Sequence, residues 1–187
     1  MYYVNTKIKL NQFNHNLNHI NYRGDFFQDI IYQNIIFDHI ECSYCDFSQI
    51  IFKNCLFLHC RFHHCHFKNV DFIANNLSGS EFLNCNFTNT AFHSNKLDYI
   101  NMQAVIKQSI LKENSIQDAY YAIKHTNTIL DSNNYSNSDL SKASFPHIDL
   151  SSNLLHNTTL DLNTLKHSKL SYEQGIAILK LFDIHIV

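Results

Sequence analysis

From Cys45 to Phe92 the apolar residues recur every five positions, as in CDFSQ IIFKN CLFLH CRFHH CHFKN VDFIA NNLSG SEFLN CNFTN TAF. The third residue of each block is Phe or Leu, and the first is mostly small or β-branched. A helix repeats at about 3.6 residues and a half-buried strand at about 2, so a period of five belongs to neither and marks a repeat solenoid. Residues two apart in extended chain point to one side. The first and third residues of a block therefore share an interior, and the other three carry the chain around a corner. Two residues after the centre of each block stand Gly24, Asp29, Asn34, His39, Asn54, His59, His64, Asn69, Gly79, Asn84 and Asn89. These are types that accept positive φ, as a type II turn demands. Four such corners return the chain above its start, in coils of about twenty residues stacked about 4.8 Å apart. The pattern predicts a four-sided β-helix.

The centres run at intervals of five from Leu17 to Met102. Ile106, Leu111, Ile116 and Tyr121 then sit one residue early, and the series from Leu130 to Leu170 sits one earlier again. Shortened sides explain both slips better than loops, because one column survives them. Asn75, Asn95, Asn114, Asn133 and Asn153 follow at spacings of 20, 19, 19 and 20. On one inner face their amides can bond to one another along the axis, as ladders do in cross-β stacks. Thr90, Ser109 and Thr128 make a parallel series on a neighbouring face. Phe dominates the lower centres and Leu the upper ones. Residues 1–14 lie outside the repeat and are expected to cap the lower end through Tyr2, Tyr3, Val4, Ile8 and Leu10. At the other end Ser171 and Gln174 fit a capping box, which predicts a helix from Tyr172 to Phe182 and then an alternating tail. The expected organisation is one domain over 1–187, with a cap at 1–14, about eight coils at 15–170 and a helix and tail at 171–187.

Composition narrows the chemistry. The formal charge is −2 and there are three Gly and one Pro. That leaves no linker, no basic surface for nucleic acid and no phosphate-cradling loop. No apolar run is long enough for a signal peptide or a membrane span, so a cytoplasmic protein is expected. The run HCRFHHCHF resembles a zinc motif, yet the period turns Cys60 and Cys65 inward and His59, His63, His64 and His66 outward. Those ligands cannot meet at one tetrahedral ion, so no metal or other cofactor is expected. Cys42, Cys45, Cys55, Cys60, Cys65 and Cys85 are expected as buried, reduced thiols. No nucleophile, base and pocket converge, so no enzymatic activity is expected. Ile31, Ile36, Ile51, Leu56, Leu58 and Ile73 point outward on two adjoining faces. Between Thr128 and Leu165, Asp131, Asp139, Asp149 and Asp161 stand against Lys142 alone.

The blocks from CDFSQ to TAF, with SDLSK, ASFPH and IDLSS further on, resemble the pentapeptide-repeat family. That resemblance implies a right-handed quadrilateral β-helix. The ending LSYEQGIAILKLFDIHIV is similar to that of the Qnr and MfpA type, in which a Leu-rich final coil leads into an amphipathic helix. It implies a homodimer joined through Ile176, Leu179, Phe182, Ile184 and Ile186. It also implies a DNA-like rod that protects gyrase or topoisomerase IV from a quinolone or an antibacterial toxin, with the four Asp as enzyme-facing acids. The chain has no projecting loops, which places it nearer the MfpA form, and its charge is weak for a DNA mimic. A protein-binding scaffold or immunity protein with another target, and a purely structural solenoid, are the alternatives.

Overall fold

The computed structural model describes the backbone of Tyr2–Val4 and Lys7–Ile8 and all of residues 17–181. Its strands pair in parallel, each with the segment one turn away. One ladder runs Asn21–Arg23, Glu41–Ser43, Arg61–His63, Glu81–Thr88, Asn101–Lys107 and Tyr120–Thr126. Below it, Tyr2–Val4 pairs with Asn21–Arg23 and Lys7–Ile8 with Phe26–Phe27, so these two segments extend the ladder downward. Leu10 lies outside the described residues.

The strands build about six turns of solenoid, fewer than the eight coils that the period predicts. Above Asp131 the ladder continues only as single bridges, Tyr120 to Asp139 to Thr159 and Asn134 to Leu154. Local side-chain bonds explain the change. Asn134 Oδ1 accepts from Ser136 N, Asp139 Oδ1 from Ser141 N and Asp149 Oδ1 from Ser151 N, at 3.0, 2.9 and 3.0 Å. Such Asx turns tighten the chain where strand would otherwise extend.

Positive φ marks corners in both regions: the residue two past the centre has φ of 52–55° at His39, Asn54, His59, His64 and Asn69, and of 62° and 60° at Asn137 and His147. Position outweighs residue type here: Tyr44, Gln49, Ala74, Ser94 and Tyr99 take the same conformation at φ of 52–59°. Both slips fall on one corner. There the register shifts after Leu83, and Asn101–Lys107 and Tyr120–Thr126 run through as single seven-residue strands. Each is a side shortened by one residue.

Side chains fill the axis. Phe27, Phe47, Phe67 and Phe87 stack with ring centroids 4.8, 4.7 and 4.7 Å apart and planes within 8°. Tyr32, Phe52, Phe72 and Phe92 form a second stack, and edge-to-face contacts such as Phe62–Phe67 tie adjoining sides together. A repeat near 4.8 Å suits offset ring stacking, which explains why Phe can occupy successive coils. Higher in the same core His125 takes a central position, 2% exposed, between Ile106 and Phe145. Its Nε2 lies 3.2 Å from the Tyr121 hydroxyl, while its Nδ1 has no partner among the described residues. Burial holds its pKa down at about 3, so the ring is neutral.

The Asn column keeps register across the short corner. Asn95 Nδ2 donates to Asn114 Oδ1 at 3.0 Å, Asn114 Nδ2 to Asn133 Oδ1 at 2.9 Å, and Asn133 Nδ2 to Asn153 Oδ1 at 3.0 Å. Asn75 begins the series, donating to Asn95 Oδ1 at 3.1 Å. Each of these oxygens also accepts the backbone N–H of the residue one coil below. Each Nδ2 has a second acceptor in a carbonyl, from Phe52, Phe72, Phe92, Leu111 or Leu130. On the neighbouring side Thr90 Oγ1 donates to Ser109 Oγ at 3.0 Å, whereas Thr128 turns to the carbonyls of Ile106 and Thr126.

Candidate functional site

With its axis packed, the solenoid offers partners its outer sides and its top. The top is built by the capping box. Gln174 N donates to Ser171 Oγ at 3.2 Å, and Ser171 N to Gln174 Oε1 at 2.7 Å. The Gln174 amide then reaches down, donating to the carbonyls of Leu150 at 2.9 Å and Asn153 at 2.6 Å. One side chain thus starts the helix Tyr172–Leu181 and fastens it to the last coil. Ile178 is the helix residue buried against the coil. Ile176 and Leu179 are half-buried, and Phe182, Ile184 and Ile186 lie outside the described residues. A groove of about 400 Å³ separates helix from coil, lined in part by Leu155, Ala177 and Ile178. Leu154 and Leu181 also line it, both 60% exposed.

The four acids are not brought together. Asp139 bridges to Thr159, with Asp161 two residues further along that side. Asp131 pairs with Lys112, and Asp149 bridges to Lys169, both on the opposite side of the coil. Each carboxylate also serves its own backbone or a neighbour. Asp161 Oδ1 accepts from Asn163 N at 2.8 Å and caps a 3-10 turn over Leu162–Leu165. Asp149 accepts from Ser151 N and Oγ, and those bonds hold its pKa below the usual carboxylate range. Asp131 accepts from Ser132 Oγ at 2.9 Å and lies 3.5 Å from Lys112 Nζ, and its pKa is also lowered, first by Ser132.

All six cysteines are free and buried. The thiols of Cys55, Cys60, Cys65 and Cys85 donate to carbonyls of the coil below, as Cys60 Sγ does to Phe37 O at 3.4 Å and Cys85 Sγ to Phe62 O at 3.2 Å, while Cys45 Sγ donates to Ser43 O in its own coil. Burial pushes the Cys60 thiol up to about 11, which makes it a poor ligand and nucleophile. In the run HCRFHHCHF, Cys60 and Cys65 are buried while His59, His64 and His66 are exposed. The His residues as a whole are less scattered than the sequence suggests. His19, His39 and His59 occupy one corner column, with Asp38 beside it. The signal was present in the sequence as a 20-residue spacing equal to the coil. Among the described residues no helix is long and apolar enough to cross a membrane.

Parallel pairing at one-coil spacing, four sides and a corner every five residues define a pentapeptide-type β-solenoid. Residues 26–102 match the family described as pentapeptide repeat region, so the chain carries pentapeptide repeat over that stretch. No curated protein matches it by sequence. Among solved structures it is similar to full-length QnrB1, a plasmid-mediated fluoroquinolone resistance protein. The identity is 19% and the TM-score 0.44, over 98% of this chain and 100% of that one. It is also similar to HetL, a pentapeptide repeat protein involved in heterocyst differentiation regulation from the cyanobacterium Nostoc. There the identity is 11% and the TM-score 0.26, over 84% of this chain and 87% of that one.

Proposed function

We propose that this chain is a non-catalytic binding rod that protects a type II DNA topoisomerase, gyrase or topoisomerase IV, from a quinolone or an antibacterial toxin. The observation that carries the reading is a solid tower whose upper end, among the described residues, carries an apolar groove. A packed axis leaves the outer surface to do the binding, and the groove rimmed by Leu154 and Leu181 favours an end-to-end pair of copies. The ending LSYEQGIAILKLFDIHIV, similar to that of the Qnr and MfpA type, supports the same pairing. Six turns at about 4.8 Å make the strand-built part of each tower about 29 Å tall. Two such towers make a rod shorter than eight full coils per copy would give.

In this reading the acids stand as two ridges on opposite sides of the rod, Asp139 with Asp161 and Asp131 with Asp149. A duplex likewise presents phosphate on both flanks. The test is competition between this protein and a DNA duplex for purified gyrase, followed by fluorescence anisotropy of labelled DNA. Displacement at micromolar protein or below is expected, weakened when Asp131, Asp139, Asp149 and Asp161 are all changed to Asn. Asn keeps the turn bonds, as Asn134 already does with Ser136, so the change removes charge and spares the fold. Unchanged displacement by the folded quadruple variant removes the acids from the mechanism.

A second reading, a scaffold or immunity protein with another target, is favoured by one outer column. Ile31, Ile51, Asp71, Ala91, Ile110 and Ile129 stack on one side. Ile31, Ile110 and Ile129 in it are 49%, 46% and 58% exposed.

A further inference from the structure

The corner column His19–His39–His59 has a use that neither folding nor topoisomerase binding requires. Each of these residues has φ of 50–53°, so the three side chains leave the backbone in the same direction, one coil apart. The rings stack, His19 on His39 at 4.6 Å and His39 on His59 at 4.5 Å, with planes 21° and 28° apart. Asp38 sits beside the stack. Its Oδ1 lies 2.7 Å from His39 Nδ1 and 3.5 Å from His59 Nδ1. Ligand atoms of His19, Asp38 and His39 all fall within 4.8 Å of one another.

Two imidazoles and a carboxylate suit a divalent ion of the zinc class, at metal–ligand distances of about 2.0–2.2 Å. Ligand atoms around such an ion stand about 3.3 Å apart in a tetrahedron, so modest side-chain rotation at this exposed corner closes the set. A stack of rings without a carboxylate lacks that chemistry. His147 and His167 also stack, at 5.4 Å, and among the described residues no carboxylate joins them in a ligand group.

We propose that His19, His39 and Asp38 bind one zinc-type divalent cation, with water completing the shell. The ion clips two successive coils together at the lower end of the tower. His19 lies 19 residues from Asp38 and 20 from His39, so the folded coil assembles the site and the unfolded chain does not. Binding therefore raises thermal stability. This assignment stands independently of the topoisomerase reading, and it departs from the sequence-based expectation that the outward His residues hold no metal.

The test is titration of the full chain with zinc, read by competition with a chromophoric chelator and by the unfolding temperature. Wild type, Asp38→Asn, His39→Asn and His147→Asn are compared. Asn is tolerated at the positive-φ corner, and far-UV circular dichroism verifies that each variant is folded. One zinc per chain is expected, with an upward shift in unfolding temperature. Asp38→Asn and His39→Asn should each bind at least tenfold more weakly and lose that shift, while His147→Asn keeps both. Absence of saturable binding at tens of micromolar zinc overturns the site. So does binding that survives in Asp38→Asn or His39→Asn, or that is lost in His147→Asn.

Discussion

Replacing Asn114 by Leu tests the internal ladder most sharply. Asn114 is 2% exposed. Its Oδ1 accepts the Asn95 N–H at 2.9 Å and the Asn95 Nδ2 at 3.0 Å. Its Nδ2 donates to Phe92 O and Asn133 Oδ1, both at 2.9 Å. Leu removes all four bonds, yet the neighbours suffer unequally. Asn133 Oδ1 keeps the backbone N–H of residue 114 at 3.1 Å, and Asn95 Nδ2 keeps Phe72 O at 2.8 Å. The Asn95 N–H loses its acceptor and stays buried. One orphaned buried donor costs about 1–3 kcal/mol, and the extra apolar burial of Leu offsets part of the other lost bonds. The expected loss is about 2–3 kcal/mol in urea unfolding followed by circular dichroism. Asn95→Leu combined with Asn114→Leu should cost less than the sum, because the bonds between the two are lost once. An Asn114→Leu protein within about 0.5 kcal/mol of wild type, the range of an ordinary surface change, would refute the ladder as a source of stability.

Two further outcomes follow from the core and the top. His125 is held neutral at a pKa of about 3 in the fold, against about 6.5 when unfolded. On acidification the unfolded chain takes up the proton first, so stability is full above about pH 6.5 and is lost as pH falls toward 3. Between pH 7 and pH 5 that amounts to about 2 kcal/mol. His125→Leu should remove this slope from the pH dependence of unfolding, and an unchanged slope would show that the ring is not buried neutral. Removing residues 172–187 should convert a dimer at tens of micromolar into a monomer by light scattering, and a full-length monomer at that concentration would contradict end-to-end pairing.

The period made much of this legible in advance. Coil length follows from where Phe and Leu recur, and coil length fixes which residues share a column. Asn75 to Asn153 and the Ser171–Gln174 box could therefore be placed from spacing alone. What the period does not encode is how a corner is turned. Ser136, Ser141 and Ser151 bond to the Asn or Asp two residues before them, which trades strand for turn and reduces eight coils to about six strand-built turns. The shortened corner hid His125, which falls four residues after Tyr121 where Phe or Leu stands elsewhere. His39 and His59 were visible as separate corner residues, with His19 one coil length before them. Their convergence with Asp38 depends on side-chain direction at positive φ, which no hydrophobic pattern carries. The four Asp cluster along the chain, yet the coil distributes them to opposite sides.

Gyrase supercoiling with and without a quinolone bears most directly on the proposed function. Relaxed plasmid, gyrase and an inhibitory concentration of the drug are mixed with rising amounts of this protein, and topoisomers are resolved by electrophoresis. Restored supercoiling at micromolar protein or below is the predicted result, with the 172–187 deletion less effective. If inhibition by a quinolone, and by a gyrase-directed toxin in a parallel series, stands unrelieved at every concentration, topoisomerase protection is contradicted.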